Sequence, residues 1–124
     1  YGGQPETMGN EEYLEFRKAI HDPETVHGML EDYRAGLSID KEHELQDRQK
    51  GNLIMCPTLC LWSKYDDLED IYGDVLGIWK TWARDVRGKA IANGHHMAEE
   101  NPKEVTAELQ RFLLPCCQQR TDIY

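Results

Sequence analysis

His95 and His96 are adjacent in AIANGHHMAEENPKEV, residues 90–105, between a small-residue run and a pair of glutamates. An imidazole on such a loop is a natural proton carrier. To do hydrolytic chemistry it needs a nucleophile and an acid that orients the ring. Carboxylates are abundant in KYDDLEDIYGD, where Asp66 stands among Asp67, Glu69 and Asp70. His95 and Glu99 also have a metal-motif spacing, but that motif requires one continuous helix. Asn101 and Pro102 start a helix later, so no metal is expected. His21, His27 and His43 belong to no recognisable pattern.

The cysteines suggest neither zinc nor a staple. In extended chain Cys56 and Cys60 lie ~13 Å apart, too far to bridge. Cys116 and Cys117 are adjacent, and no CxxC pair exists. Unpaired thiols fit a reducing, cytoplasmic setting. The position four from the end is Thr121, not a cysteine, so a prenylation signal is not expected.

A net charge of -9, from 23 acidic and 14 basic residues, argues against nucleic acid and against an anionic membrane surface. It leaves a small anionic substrate allowed, because a pocket can be locally basic. With 40% hydrophobic and 30% charged residues, the 124-residue chain suits one small globular domain. No apolar run reaches the ~18 residues of a membrane span, and no segment resembles a secretory leader.

These groups must be held by local structure. Asn10 is an expected helix cap, with Tyr13, Phe16 and Ile20 at helical spacing. Asp22 and Pro23 start a second helix, in which Val26, Met29, Leu30 and Tyr33 form one apolar stripe and Gly36 suits the stop. Residues 38–52, capped by Ser38, read as a solvated helix. The apolar run over residues 53–62 reads as a strand covered on both faces. Asp74 caps a helix whose expected face is Val75, Ile78, Trp79, Trp82 and Val86. A second short strand is expected over residues 89–92. Asn101 and Glu104 then flank a capping box around Pro102, ahead of a stripe of Val105, Leu109, Phe112 and Leu113. Strands alternating with helices predict parallel pairing in an α/β sheet. Functional groups then gather at the carboxyl ends of the strands, where both the acidic loop and the histidine loop depart. Two strands make a poor sheet, so the sheet is expected to continue in residues outside these 124.

EDYRAG (residues 31–36), LWSKYDDLEDIYGD (61–74), IWKTWARDVRG (78–88) and GHHMAEENP (94–102) occur in this order. Together they resemble the carboxyl-terminal part of an α/β-hydrolase, and within that superfamily the haloacetate (fluoroacetate) dehalogenase group. The resemblance covers roughly residues 22–114 and implies a division into a helical lid segment (1–50), the last part of the hydrolase core with two parallel strands (51–114), and a tail (115–124). It implies an Asp nucleophile that displaces halide to give an ester, and a histidine that activates water to hydrolyse it. His95, directly after Gly94, takes the place of the base. Asp66 is a candidate orienting acid: many superfamily members carry one after the corresponding strand, whereas dehalogenases of this group usually carry it on an earlier one. Tyr33 takes the place of the lid tyrosine that contacts halide or substrate, and His96 that of a pocket-wall residue. The nucleophile and the arginines that hold the substrate carboxylate have no counterpart here, so the chain is expected to be part of a longer protein.

The implied substrate is a small haloacid, with no cofactor, no nucleic acid and no membrane partner, and a homodimer is compatible with the family. An epoxide hydrolase or esterase-type relative is an alternative reading. So is a truncated, non-catalytic product that acts only as an interaction surface. Simpler readings stand beside each role: Tyr33 as a core residue of its stripe, Asp66 as one of several solvated carboxylates, and Trp79 and Trp82 as packing.

Overall fold

The computed structural model describes residues 5–118, with side chains over 6–114. Its first part is helical: α1 (Pro5–Met8), α2 (Asn10–Ala19), α3 (Pro23–Leu37) and α4 (Ile39–Lys50). Asn10 is not the cap of α2 but its first residue. Gly9 holds the cap position at φ 90°, a conformation that costs glycine little and lets the chain reverse after α1. Asp22 does cap α3, its carboxylate accepting from the amides of Glu24 (3.4 Å) and Thr25 (3.3 Å), with Pro23 behind it. Gly36 does not stop this helix, which runs through it to Leu37. Ser38 holds the N-cap position of α4, its carbonyl accepting from the Glu42 amide at 3.1 Å. Its hydroxyl donates back to the carbonyl of Arg34 at 2.7 Å and so closes α3 instead of capping α4 with its side chain. The left-handed glycine that does end a helix is Gly51, φ 69°, after α4.

The second part contains β1 (Thr58–Ser63), α5 (Leu68–Tyr72), α6 (Val75–Trp79), β2 (Val86–Ile91), α7 (Met97–Glu100) and α8 (Pro102–Gln118). β1 and β2 pair in parallel, Thr58 opposite Val86 and Ser63 opposite Ile91. The strand expected over residues 53–62 begins only at Thr58. Ile54 makes an isolated parallel bridge to Ala83, and Pro57, lacking an N–H, separates that bridge from the ladder. β1 is half-buried along most of its length rather than covered on both faces. The helix expected to continue to Val86 ends at Trp79, because Ile54 takes the backbone groups that follow. Its N–H donates to the Trp82 carbonyl at 2.8 Å, and its carbonyl accepts from Arg84 at 3.0 Å. Val86 therefore starts β2, earlier than the strand expected over 89–92. Gly88 sits opposite Cys60, where a Cβ would fall 1.7 Å from the Cys60 carbonyl oxygen, so only glycine permits this strand approach.

α8 follows the expected cap. The Asn101 Nδ2 donates to Glu104 Oε2 at 2.9 Å, and the Glu104 amide donates to Asn101 Oδ1 at 3.4 Å. Lys89 on β2 reaches Glu104 at 2.7 Å and Glu108 at 3.5 Å, tying α8 to the sheet. α8 continues to Gln118, past the tail boundary expected at residue 115, and residues 119–124 lie outside the described residues. Buried apolar side chains among the described residues are Met8, Val75, Ala83 and Ile91, so the core gathers around the end of β2 and α6. α3 packs principally on α4. Its Met29, Leu30 and Tyr33 stay open, Tyr33 being 73% exposed rather than part of a core. α4 is exposed throughout, as its charged sequence predicts. No helix among the described residues is long and apolar enough to cross a membrane.

Candidate active site

The ladder between β1 and β2 continues past the strands. The amide of Lys64 donates to the carbonyl of Ile91 (2.8 Å), and that of Tyr65 to the carbonyl of Asn93 (3.3 Å). Ser63, buried at the end of β1, donates its hydroxyl to the same Asn93 carbonyl at 2.6 Å. The two loops that leave the carboxyl ends of the strands are thus laced together for several residues. Asp66 follows directly on one side and His95 on the other.

The lacing brings them into contact: His95 Nδ1 lies 2.7 Å from Asp66 Oδ2. The carboxylate is about one-third exposed and the imidazole about two-thirds. Asp66 Oδ1 accepts from the amide of Asp67 at 3.0 Å, so both carboxylate oxygens are engaged. The hydrogen bond from His95, with the Asp67 amide behind it, holds the Asp66 carboxyl below its ordinary range and keeps it ionised. An ionised carboxylate on Nδ1 selects the tautomer with hydrogen on Nδ1 and leaves Nε2 as the basic nitrogen. A histidine so arranged can take a proton from water or a hydroxyl, and the resulting imidazolium is stabilised where it forms.

The neighbouring carboxylates of the acidic loop do other work. Glu69 accepts from Trp62 Nε1 at 2.7 Å. Asp74 caps α6 by accepting from the Gly77 amide at 2.8 Å. His96 turns away from Asp66 to an edge-on contact with Phe16 of α2, ring centroids 4.8 Å apart, and packs edge-on against His95 at 5.4 Å. It joins the helical part to the histidine loop. Tyr33 projects from α3 with no described interaction to the His95–Asp66 pair. Trp82 carries Arg48 of α4 over its ring at 3.7 Å, a cation–π contact between the helical and strand parts. A cleft of about 570 Å³ nearby is lined by Leu68, Tyr72, Val75, Ile78, Trp79 and Trp82, with Glu44 and Arg48 at its edge. It includes neither His95 nor Asp66, so this apolar cleft and the candidate chemistry are separate. Among the described residues no group of three or more histidine, cysteine or acidic side chains is placed to hold a metal.

Three residues that shape the site escape a reading by motif: Ser63, Asn93 and Glu100. Asn93 is buried; its Nδ2 donates to the Gly94 carbonyl at 2.9 Å, while its Oδ1 has no hydrogen-bond partner among the described residues. Glu100 accepts from the amides of Gly94 at 2.6 Å and His96 at 3.2 Å. The GHHMAEE spacing contains the signal for Glu100, but Glu99 beside it is an equal candidate on sequence.

No family model matches the chain. It is 28% identical over 103 residues to a fluoroacetate dehalogenase of Burkholderia sp., covering 83% of this chain and 33% of that protein. Among solved structures, a protein of Nostoc sp. PCC 7120 assigned as an α/β-hydrolase is 33% identical and superposes with a TM-score of 0.80, over 91% of this chain and 38% of that one. A Pseudomonas aeruginosa protein assigned as an epoxide hydrolase is 36% identical with a TM-score of 0.75, over 87% and 36%. A Salmonella enterica protein assigned as an acyltransferase is 32% identical with a TM-score of 0.74, over 88% and 35%. The chain thus spans about a third of the length of each of these relatives.

Proposed function

Because the chain belongs to the α/β-hydrolase superfamily and has the fold of its carboxyl-terminal part, we propose that it supplies the base and the orienting acid of a hydrolase of the haloacetate dehalogenase type. The observation that carries this reading is the 2.7 Å contact between His95 Nδ1 and Asp66 Oδ2, made by two loops at the carboxyl ends of paired parallel strands. The nucleophilic aspartate and the arginines for the substrate carboxylate are proposed to lie in the remaining two-thirds of a protein of the relatives' length. In the first step a nucleophile oxygen bonds to the halogen-bearing carbon of a small haloacid, and halide leaves with the carbon–halogen electron pair. In the second step His95 Nε2 takes a proton from water, whose oxygen attacks the ester carbonyl. Collapse breaks the ester C–O bond, and the departing alkoxide takes the proton from the imidazolium and leaves as the hydroxyacid. The nucleophile's carboxyl group gives the second water proton to solvent and is a carboxylate again. Asp66 keeps its charge throughout and stabilises that imidazolium.

Halide release by the full-length protein tests the reading. His95→Ala is expected to release halide once per enzyme and then stop, with the ester visible as added protein mass. Continued turnover by that variant would remove His95 from the mechanism. Asp66→Asn is expected to lower turnover by about 10³-fold or more. Unchanged turnover in that variant would move the orienting acid to an upstream strand.

The position of Asp66 directly after β1 favours a second reading, since dehalogenases of this group usually carry that acid earlier in the fold. On that reading the same pair serves an epoxide- or ester-cleaving relative, and assay of an epoxide and an ester beside the haloacid separates the substrate classes.

A further inference from the structure

We infer that Glu100 is a positioning residue for His95, an inference that rests on the reading of His95 as the base. The two amides that flank the histidine, those of Gly94 and His96, both donate to the Glu100 carboxylate, one to each oxygen, at 2.6 and 3.2 Å. Residue 95 is therefore fixed in the backbone from both sides by a single side chain. The other end of the loop is fixed independently. The Asn93 carbonyl accepts from the Ser63 hydroxyl at 2.6 Å and from the Tyr65 amide at 3.3 Å. Between these two anchors the imidazole has little backbone freedom, and its Nδ1 meets Asp66.

The carboxylate has the right chemistry for this work. Hydrogen bonds from amides to an ionised acceptor are stronger than neutral ones, and Glu100 is only partly exposed. Its own amide donates to the His96 carbonyl at 2.9 Å, so α7 closes a ring through the loop it braces. A Cβ on Gly94 would come within 2.8 Å of Glu100 Oε2, so glycine at 94 lets the carboxylate approach the amide this closely. Glu99, next in sequence, is exposed and accepts neither amide. It makes a matched control.

The test uses the full-length protein with histidine labelled in both ring nitrogens. A proton on Nδ1 held by Asp66 gives a downfield resonance, assigned by its loss in His95→Ala and in Asp66→Asn. Glu100→Gln keeps the side-chain volume but can accept only one of the two amides. Glu100→Ala accepts neither. Both are expected to lose or broaden the resonance and to lower kcat, by about 100-fold for Glu100→Ala, with KM within about twofold. Glu99→Gln is expected to change neither. A retained resonance and parental kcat in both Glu100 variants would overturn the inference. So would loss of the folded state in both, judged by circular dichroism, which would make Glu100 a general structural residue. The resonance reports on Glu100 whatever the substrate proves to be. Failure of the catalytic reading shows instead as continued turnover by His95→Ala.

Discussion

α3 carries a stripe of apolar side chains at helical spacing and β2 ends on a single large one, Ile91, yet their fates differ. On α3, Met29 and Leu30 are each 51% exposed, whereas Ile91, at the end of β2, is 0% exposed. α3 rests mainly on α4, whose sequence IDKEHELQDRQK offers little apolar surface in return. Ile91 ends a strand that is laddered to β1, adjoins α6 and is tied to α8 through Lys89. Periodicity tells which side chains share a face. Burial depends on what the chain places opposite that face, and only the strand–loop part of these residues places enough there.

If that contrast is right, stability is concentrated in the strand–loop part. Ile91→Ala is expected to cost about 2–5 kcal/mol in urea unfolding of the full-length protein, through lost burial and the cavity left behind. Gly88→Ala follows: its new methyl group meets the Cys60 carbonyl oxygen, and the strands must part, at a cost of about 1–3 kcal/mol. Leu30→Ala, on the open stripe of α3, is expected to cost less than about 1 kcal/mol. A Leu30 effect as large as that of Ile91 would break the contrast. It would mean that the remainder of the protein covers α3 as fully as the described residues cover β2.

The smallest expected effect is a pH dependence at the tie between β2 and α8. Lys89 beside Glu104 is raised above 10.5, chiefly by their hydrogen bond, and the same bond lowers Glu104 below 4.5. The lysine contribution is complete below 10.5 and fades as pH rises through the raised value. The glutamate contribution is complete above 4.5 and fades as pH falls through the lowered value. Between those limits the tie is expected to be flat with pH, and its exposure keeps it weak. Replacing Lys89 with Met should leave the melting temperature nearly unchanged at neutral pH while removing the dependence outside the window. A large loss at neutral pH would show that the tie organises α8 rather than trimming it.

The candidate site was partly legible because its chemistry lies in residue types. GHH between a strand and a capped helix marked His95, and the acidic loop after an apolar run supplied Asp66. Choice among carboxylates was not legible. Asp66, Asp67, Glu69 and Asp70 stand within five positions, and Glu99 stands beside Glu100. Selection came from the register of β1 on β2, which sets Ser63 against Ile91 and so fixes which loop atoms face each other. Helix ends differ from the expectation where backbone conformation outweighs side-chain preference. Gly9 and Gly51 occupy positive φ, while Gly36 lies inside a helix at no steric cost. Trp82 and Val86 fitted a helical face, but the backbone at 82–84 is engaged by Ile54, a partner far away in sequence.

What the sequence determined by itself was local: the caps at Asp22, Asp74 and Asn101, the two parallel strands, the solvated α4, and the histidine that a base requires. These follow from hydrogen-bonding groups and periodicities within a few residues of each other. What only the tertiary structure decided was long-range: that Asp66 meets His95, that Glu100 rather than Glu99 braces the loop, that His96 turns to Phe16, and that Tyr33 stands open. Each depends on strand register and on which surfaces meet, and residues that become neighbours only through the sheet leave no mark on their spacing in the chain.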